Sequence, residues 1–284
     1  MKSIFITGAT SGIGRAAASY LAEEGHHVYL LIRNREKGEA FIDELKNEYP
    51  ESNVHIIECD LADLETVKCC ATQILMQHDR IDVLINNAGG IFPNQYFNKD
   101  GYEQTFVVNH LGHFLLTYLL RSLLAESNAK VINLSSEAHK AAKPDFDDVH
   151  MKSKYQSFTA YANAKLFNVY FTKSLVEQYG QHGIRSFAVH PGVVRTGFGK
   201  TYKGLVKWII KLMRPFMITP DKGAEDTINL ALDRLDAING SYIKKGKVTE
   251  PSSLALDVKN REQLWRMSED MVKDYLPGKD NKKA

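Results

Sequence analysis

The chain has 284 residues, of which 44% are apolar and 25% are charged, an ordinary balance for a soluble globular protein. A net charge of +2 gives no basic surface for nucleic acid, and no apolar run is long enough to span a bilayer. The three cysteines lack metal-ligand spacing, and their odd number argues against a disulfide framework. The cysteine spacing leads us to expect no metal site. Because the first apolar run begins almost at Met1, we expect no signal peptide. Together these features predict a cytoplasmic protein.

A glycine-rich turn follows the first apolar run, residues 4–6, which is typical of a buried strand. Gly8, Gly12 and Gly14 lie in this turn, and the alanine-rich segment 15–24 after it predicts a helix. Glycines let the backbone approach a ligand, and the free N–H groups of the first helical turn attract phosphate. Three residues separate Gly8 from Gly12 and one separates Gly12 from Gly14, whereas the Gly-x-Gly-x-x-Gly dinucleotide fingerprint has one and then two. We therefore expect a nucleotide phosphate at this turn.

Two arginines follow the second predicted strand, residues 27–32, at the point where the ribose of a bound dinucleotide would lie. A carboxylate there would accept from a free 2′-hydroxyl and repel a 2′-phosphate, but the first carboxylate is Glu36. Arg33 and Arg35 instead carry guanidiniums suited to phosphate. We expect NADP(H) rather than NAD(H), with Arg33 the better candidate. The alternative is that both arginines are solvated loop residues and that NAD(H) binds.

Asp60 follows a third predicted strand, residues 53–59. Its carboxylate could accept from an adenine amino group or cap the next predicted helix, residues 64–78, and both interpretations stay open. A fourth predicted strand, residues 81–85, runs into segment 86–90, Asn-Asn-Ala-Gly-Gly. Small residues there allow a ligand to contact the backbone closely.

Asn109 lies in a helix predicted over residues 101–124, among apolar neighbours. A polar side chain in such surroundings requires a hydrogen-bond partner. His110 and His113 lie beside it, with no acid or cysteine at ligand spacing. We expect these histidines to be packed or surface residues rather than metal ligands.

A fifth strand, predicted over residues 130–134, ends in Ser135 and Ser136. The polar segment 141–157 after it predicts a surface insertion, long enough to form a flap beside a site.

Tyr161 and Lys165 lie on the next predicted helix, which reaches about residue 179. Side chains at i and i+4 share one helix face, so the phenol and the ammonium are neighbours. This spacing alone carries little weight, because any long helix can contain it. A sixth strand is predicted over residues 184–189, before segment 190–196 with Pro191 and Gly192.

Segment 203–219 is both apolar and basic. It could form a mobile lid over a hydrophobic substrate, within a region of about 197–220, a membrane-surface patch or a dimer contact. The lid is the favoured interpretation, and a peripheral membrane contact stays open.

The last predicted elements are a helix over residues 221–233, a short strand over 241–243 and a helical tail over 253–273. Six or seven strands thus alternate with helices along the chain. This order predicts an α/β fold over residues 1–284: a single doubly wound parallel sheet, or Rossmann fold, with helices on both faces and a small substrate lid.

The ordered set of motifs resembles the short-chain dehydrogenase/reductase family over the chain to about residue 200. The motifs are Thr7-Gly8 with Gly12 and Gly14, the segment 86–89, Asn109, Ser136, Tyr161 with Lys165, and Pro191-Gly192 with Thr196. Segments 109–114 and 33–35 resemble the retinol dehydrogenase-like branch. The gap between Ser136 and Tyr161 is about twice the family's usual length, although that branch carries a similar insertion.

The resemblance implies a catalytic set of Asn109, Ser136, Tyr161 and Lys165. Tyr161 would exchange the proton, and Ser136 would hold the substrate oxygen. Lys165, with an oxidised nicotinamide, would lower the pKa of the tyrosine from its usual value of about 10. Lys165 would also hold the nicotinamide ribose, and Asn109 would anchor a water that links Lys165 to solvent.

The resemblance also implies a set of cofactor-binding residues. These are Gly8, Thr10, Ser11, Gly12, Ile13, Gly14, Arg33, Asn34, Asp60, Leu61, Asn87, Ala88, Gly89, Tyr161, Lys165, Pro191, Gly192, Val194 and Thr196.

The expected function is NADP(H)-dependent interconversion of a carbonyl and an alcohol on a hydrophobic small molecule. The alternative is a redox sensor or scaffold that binds NADP(H) without turnover. A nucleotide-sugar epimerase would bring a larger C-terminal domain than this chain contains. Substrate identity, reaction direction and the choice between monomer and homodimer are not readable from the sequence.

Overall fold

A computed structural model describes residues 1–194 and 217–277. It contains one eight-stranded sheet in the order β3-β2-β1-β4-β5-β6-β7-β8. The strands are β1 Ser3–Thr7, β2 His27–Ile32, β3 Asn53–Glu58, β4 Val83–Asn86, β5 Lys130–Leu134, β6 Arg185–His190, β7 Tyr242–Lys244 and β8 Lys247–Thr249. Strands β1 to β7 pair in parallel, and the predicted doubly wound α/β sheet is confirmed.

Strand β8 is a difference from the prediction, since it pairs antiparallel with β7 and was not expected. It has three residues, and Lys247 and Val248 are exposed, so it lacks the apolar run that marks the other strands. The turn between β7 and β8 places Lys245 at φ +53° and Gly246 at φ +70°. Nothing in the hydrophobic pattern signals such a short, exposed edge strand.

The helices alternate with the strands. They are α1 Gly12–Glu23, α2 Arg35–Glu48, α3 Leu64–Gln77, α4 Gln104–Phe106, α5 Gly112–Leu119, α6 Arg121–Glu126, α7 Ser157–Tyr179, α8 Pro220–Ala231 and α9 Val258–Val272. The single helix predicted over residues 101–124 is wrong in detail, because a π-helical turn, Val107–Leu111, separates α4 from α5. In the part of the chain described, no helix is long and apolar enough to cross a bilayer.

Side chains from both faces of the sheet are buried under helices. In β1, Phe5 contributes to the core on one face, with residues of α3, α5, α7 and α9, while Ile4 and Ile6 contribute to the other, with residues of α1, α2 and α8. Successive side chains of a strand point to opposite faces, so a strand covered on both sides reads as a continuous apolar run. This is why residues 4–6 were recognisable as a buried strand.

Hydrogen bonds join the predicted surface insertion, residues 141–157, to the segment that follows β4. The Tyr155 hydroxyl donates to the Phe92 carbonyl at 2.8 Å. The Gln95 amide donates to the carbonyls of His150 and Met151 at 2.9 and 3.0 Å. The insertion is therefore anchored to segment 91–105. The predicted lid, about 197–220, falls mostly outside the described residues.

Strand β1 pairs with β2 on one side and with β4 on the other. The direction of winding reverses between β1 and β4, and such a reversal opens a crevice at the carboxyl ends of the strands. The glycine turn that follows β1 lies at this crevice. The fold thus determines where a ligand site should be.

Asp233 forms ion pairs at the amino ends of the strands, on the side of the sheet away from the crevice. Its carboxylate accepts Lys2 and Lys130 at 2.5 Å each and lies 3.6 Å from Arg185, the cations at the starts of β1, β5 and β6. Although partial burial opposes it, hydrogen bonds from Lys130 and Lys2 lower the pKa of Asp233 to about 2. A lowered carboxyl pKa stabilises the fold above the unfolded pKa, and the contribution is lost as the pH falls through the folded value.

We expect Asp233→Asn to lower the free energy of unfolding by about 1 kcal/mol at neutral pH, since the carboxylate is half exposed and its ion pairs are screened. Asparagine tolerates the positive φ of this position, so backbone strain should not contribute. Because the native carboxyl protonates in acid, wild type and variant should converge between about pH 4 and about pH 2. Urea unfolding across this range tests it, with Asp236→Asn as the exposed control. A difference that is constant with pH would contradict the assignment.

Candidate active site

A cavity of about 860 Å³ lies at the carboxyl ends of the parallel strands. The predicted residues that line it are Gly8, Thr10, Ser11, Gly12, Ile13, Arg33, Asn34, Asp60, Leu61, Asn87, Ala88, Gly89, Ser136, Tyr161, Lys165, Pro191, Gly192 and Val194. Gly14 and Asn109 do not line it, and Thr196 lies outside the described residues. Nearly all of the predicted site is therefore brought to one cavity.

The glycine turn is packed closely against the end of β4. Gly8 has φ +66°, and a Cβ on it would lie 2.9 Å from the Cα of Ala88. A Cβ on Gly14 would lie 2.3 Å from the Asn87 amide nitrogen and 2.6 Å from the Gly8 carbonyl oxygen. Gly14 therefore acts behind the cavity wall, where it lets α1 approach the turn and the Asn87 side chain. A larger residue at either position would push the turn out of place.

The same turn is held by hydrogen bonds from the end of β4. The Asn87 amide donates to the Thr7 carbonyl at 2.8 Å. The Thr7 hydroxyl accepts the main-chain N–H groups of Asn87 and Ala88 at 2.9 and 3.0 Å. These hydrogen bonds thus hold the end of β1 against the end of β4 at the cavity.

The first turn of α1 offers its N–H groups to the cavity. Ser11, the residue that begins the helix, makes no side-chain capping bond, and Ser11, Gly12 and Ile13 all line the cavity. Uncapped N–H groups at the positive end of a helix dipole bind phosphate. The residues present therefore fit the pyrophosphate of a dinucleotide.

Basic side chains line the cavity just after the end of β2. Arg33, Asn34 and Lys37 line this part of the cavity, and no ion pair links Arg33 to another described residue. Arg35 does not line the cavity; it pairs with Glu58 at 2.5 Å and Glu39 at 3.7 Å. The preference for Arg33 over Arg35 agrees with this geometry. Sequence reasoning missed Lys37, although its place in the first turn of the helix that follows Arg33 was a usable signal.

Asp60 has a local structural role as well as a place in the cavity. Its carboxylate accepts the N–H of Ala62 at 3.0 Å, while Asp63 accepts the N–H of Glu65 and caps α3. The alternative that Asp60 caps the next helix is therefore wrong, because the capping residue of α3 is Asp63, three residues later. Its contact with an adenine stays a prediction.

Tyr161, Ser136 and Lys165 converge at the far end of the cavity from Arg33. The side chains of Tyr161 and Ser136 are hydrogen-bonded, and the Lys165 ammonium lies 5.5 Å from the centre of the Tyr161 ring. Lys165 donates to the Leu134 carbonyl at 2.9 Å. The neighbouring Ser135 hydroxyl is occupied, since it donates to the Lys165 carbonyl at 2.8 Å. This leaves Ser136 as the serine that faces the phenol, as expected.

Burial dominates the ionisation of these groups. It raises the pKa of Tyr161 to about 12, against the smaller opposite effect of the hydrogen bond with Ser136. It also lowers the pKa of Lys165 to about 8. The predicted lowering of the tyrosine pKa is therefore not supplied by the chain's own residues, because loss of hydration outweighs the hydrogen bond with Ser136.

Asn109 holds the backbone beside the site. Its side chain accepts the N–H of Gly90 at 3.1 Å and donates to the carbonyls of Gly90 and Thr105 at 3.0 and 2.8 Å. The partner that this buried amide requires is therefore the backbone of segment 86–90. A Cβ on Gly89 would lie 2.4 Å from the Asn109 oxygen and 3.4 Å from the Lys165 nitrogen. The predicted role in anchoring a water stays a prediction.

His110 and His113 are both buried, as packed residues rather than surface ones. His113 shares a hydrogen bond with the Thr7 hydroxyl at 2.8 Å, and His110 shares one with Ser268 at 3.0 Å. No group of three histidine, cysteine or acidic side chains that could hold a metal occurs within residues 1–194 and 217–277.

The cavity has an apolar wall that sequence reasoning did not identify. Its members are Ile91, Phe92, Val108, Ala138, Phe158, Val193 and Met217. Phe158 lies three residues before Tyr161 on the same helix, so helical spacing could have indicated it. The others lie on separate segments that the fold brings together, and they carried no local signal.

A family model described as short chain dehydrogenase matches residues 2–204. Retinol dehydrogenase 12 of Mus musculus is 38% identical over 270 residues, which cover 94% of this chain and 85% of that protein. The chain belongs to the short-chain dehydrogenase family of oxidoreductases, and the resemblance to its retinol dehydrogenase-like branch is confirmed.

Solved structures show the same fold. The crystal structure of an uncharacterized protein from Mycobacterium paratuberculosis has a TM-score of 0.77 at 30% identity, covering 96% of this chain and 94% of that one. The crystal structure of NADPH-bound carbonyl reductase from chicken fatty liver has a TM-score of 0.64 at 21% identity, covering 88% and 98%. At the latter identity the likeness concerns the fold alone.

Proposed function

We propose that this protein is an NADP(H)-dependent oxidoreductase that interconverts a carbonyl and an alcohol on a hydrophobic substrate. The observation that carries the proposal is the convergence of Tyr161, Ser136 and Lys165 in the cavity that also contains the glycine turn. A phosphate-binding turn and a proton-exchanging phenol in one cavity suit redox chemistry at an oxygen atom. When bound, a nicotinamide dinucleotide supplies or accepts the hydride.

The chain's own residues account for the proton. In reduction, Tyr161 donates its proton to the substrate oxygen, and a pKa of about 12 keeps it protonated at neutral pH. The Ser136 hydroxyl donates to the same oxygen and stabilises its developing negative charge. The Lys165 ammonium stabilises the charge left on the phenol oxygen after transfer. In oxidation the proton moves in the opposite direction.

The choice of NADP(H) is supported by the charge at the other end of the cavity. Arg33 and Lys37 line it, and the guanidinium of Arg33, which forms no ion pair within residues 1–194 and 217–277, can meet a 2′-phosphate in bidentate fashion. Asn34 accepts the Lys37 N–H at 2.8 Å and so caps α2, whose positive end lies beside the same space.

A hydrophobic substrate is supported by the apolar wall of the cavity, which includes Phe158 on the helix of Tyr161. Phe158 is 55% exposed and Val193 57% exposed, although both are large apolar side chains at the cavity. Covering them with an apolar ligand removes that surface from water. A retinoid is the first probe, because the name of the Mus musculus relative states that it acts on retinol. A cytoplasmic location is part of the proposal.

The cofactor proposal is tested by titrating the protein with NADPH and with NADH, followed by fluorescence. We expect tighter binding of NADPH. Arg33→Ala should weaken NADPH binding about 10-fold to 100-fold through the loss of charge-assisted hydrogen bonds, and leave NADH unchanged. Arg35→Ala is the matched control, because Arg35 is paired with acids outside the cavity. Equal binding of NADH and NADPH by the wild type would contradict the proposal.

The proton-transfer roles are tested by initial rates of NADPH oxidation with all-trans-retinal between about pH 6 and about pH 10. Lys165 acts as a cation with a pKa of about 8. We therefore expect kcat/KM to be level at low pH and to fall as the pH rises through about 8. Lys165→Met should be at least about 100-fold slower and lack this fall, and Tyr161→Phe should abolish turnover. NADPH binding without turnover by the wild type would favour the sensor or scaffold alternative.

The substrate class is tested with a pair of phenylalanine variants. Phe158→Ala removes an aromatic surface from the cavity, so we expect the KM for all-trans-retinal to rise about 10-fold while the KM for a small polar ketone is unchanged. Phe97→Ala is the control, since Phe97 is 43% exposed but does not line the cavity. Turnover confined to small polar ketones would refute a hydrophobic substrate.

A further inference from the structure

His139 makes direct contact with the backbone of the proposed catalytic serine. The Ser136 carbonyl accepts two hydrogen bonds from this residue, from the imidazole Nδ1 at 2.7 Å and from the main-chain N–H at 3.0 Å. The Ser136 hydroxyl accepts the N–H of Ala138 at 3.2 Å. Ser136 is thus the residue that begins the short 3₁₀ turn Glu137–Ala141, and the turn closes onto it.

The other imidazole nitrogen of His139 contacts a distant part of the chain. Its Nε2 accepts the main-chain N–H of Ser252 at 3.0 Å, just after β8. Since a carbonyl can only accept and an N–H can only donate, these two bonds require Nδ1 to carry the proton and Nε2 to be bare. The imidazole is fully buried, and its ring meets that of Tyr242 edge-on at 5.1 Å between centres. One neutral tautomer in one orientation satisfies all of these contacts.

We propose that His139 is a positioning residue for the reaction: it holds Ser136 in place by joining the Ser136 carbonyl to the backbone at Ser252. The proposal rests on the function proposed above, in which Ser136 holds the substrate oxygen. The segment after β8, more than a hundred residues away in sequence, thereby supports the catalytic end of the cavity. Rigid support of this kind matters because a small misplacement of a catalytic group lowers the rate strongly.

The placement of His139 predicts a selective effect. Its bonds fix Ser136, which is assigned to the substrate oxygen, whereas the phosphate contacts are assigned to the glycine turn and to Arg33 and Lys37. Loss of the imidazole should therefore lower kcat and leave NADPH affinity almost unchanged. A general loss of packing would weaken both properties together.

Two conservative variants separate the two ends of the imidazole. In His139→Asn the amide nitrogen can take the position of Nδ1 and still donate to the Ser136 carbonyl. In His139→Gln the longer side chain can place its amide oxygen near the position of Nε2 and accept from Ser252, but the donor to Ser136 is lost. His139→Leu removes both bonds.

The experiment measures kcat and KM for all-trans-retinal, NADPH affinity by fluorescence, and thermal unfolding for each variant. We expect His139→Leu and His139→Gln to lower kcat by about 10-fold to 100-fold, with NADPH affinity within about 2-fold of the wild type. His139→Asn should recover kcat to within about 3-fold. Equal losses for Asn and Gln, or losses of kcat and NADPH affinity in parallel, would overturn the proposal.

His150→Leu is the control for removing a partly buried histidine. His150 accepts the main-chain N–H of Glu103 at 3.4 Å and does not line the cavity. This variant should lower the unfolding temperature without lowering kcat. A loss of kcat as large as that of His139→Leu would show that the effect is general and would overturn the positioning role.

Failure of this proposal is distinguishable from failure of the proposed function. A wild type that is active, a Ser136→Ala variant that is inactive and a His139→Leu variant with normal kcat would overturn the positioning role alone. A wild type that binds NADPH but turns over neither all-trans-retinal nor any other carbonyl would overturn both proposals.

Discussion

The hydroxyl of Thr7 fixes the geometry on which the rest of the site depends. It accepts the N–H groups of Asn87 and Ala88, and so joins the ends of β1 and β4 at the reversal of the sheet. Its own proton goes to Nε2 of His113, whose Nδ1 donates to the Asn109 carbonyl at 3.2 Å. One buried oxygen atom therefore links the glycine turn, the end of β4 and the π-helical turn that carries Asn109.

This link requires a neutral imidazole, and the surroundings provide it. Burial lowers the pKa of His113 to about 3, so the ring keeps one proton throughout the physiological range. The same dry interior raises the pKa of Tyr161 and lowers that of Lys165. The site thus disfavours charge on each of these groups before a ligand enters. Charge developed during proton transfer then acts in a medium where it is poorly screened.

Elements buried on both faces were predictable from sequence. The bounds predicted for β2 and β5 agree with the structure to the residue, because a strand covered on both sides is a continuous apolar run between polar ends. The location of the site was also predictable, since parallel strands present their carboxyl ends at one edge. Most predicted residues line the cavity for this reason.

What was not predictable depends on contacts between distant segments. Arg35 pairs with Glu58 because β2 and β3 lie side by side in a particular register, which hydrophobic periodicity does not fix. The π-helical turn at Asn109 shifts backbone hydrogen bonds without changing the apolar pattern. The direction of the Tyr161 pKa shift follows from burial, whereas the sequence showed only the nearby lysine.

The hairpin at the end of the sheet has a consequence for solubility. Without β8, the parallel strand β7 would leave a row of unpaired N–H and C=O groups, a template on which another chain could add a strand. Strand β8 covers that row, is only three residues long, and carries the exposed Lys247 beside the turn residue Lys245. Short strands and lysines at a sheet edge oppose strand addition. The protein is thereby protected at this edge from aggregation through continuous sheets.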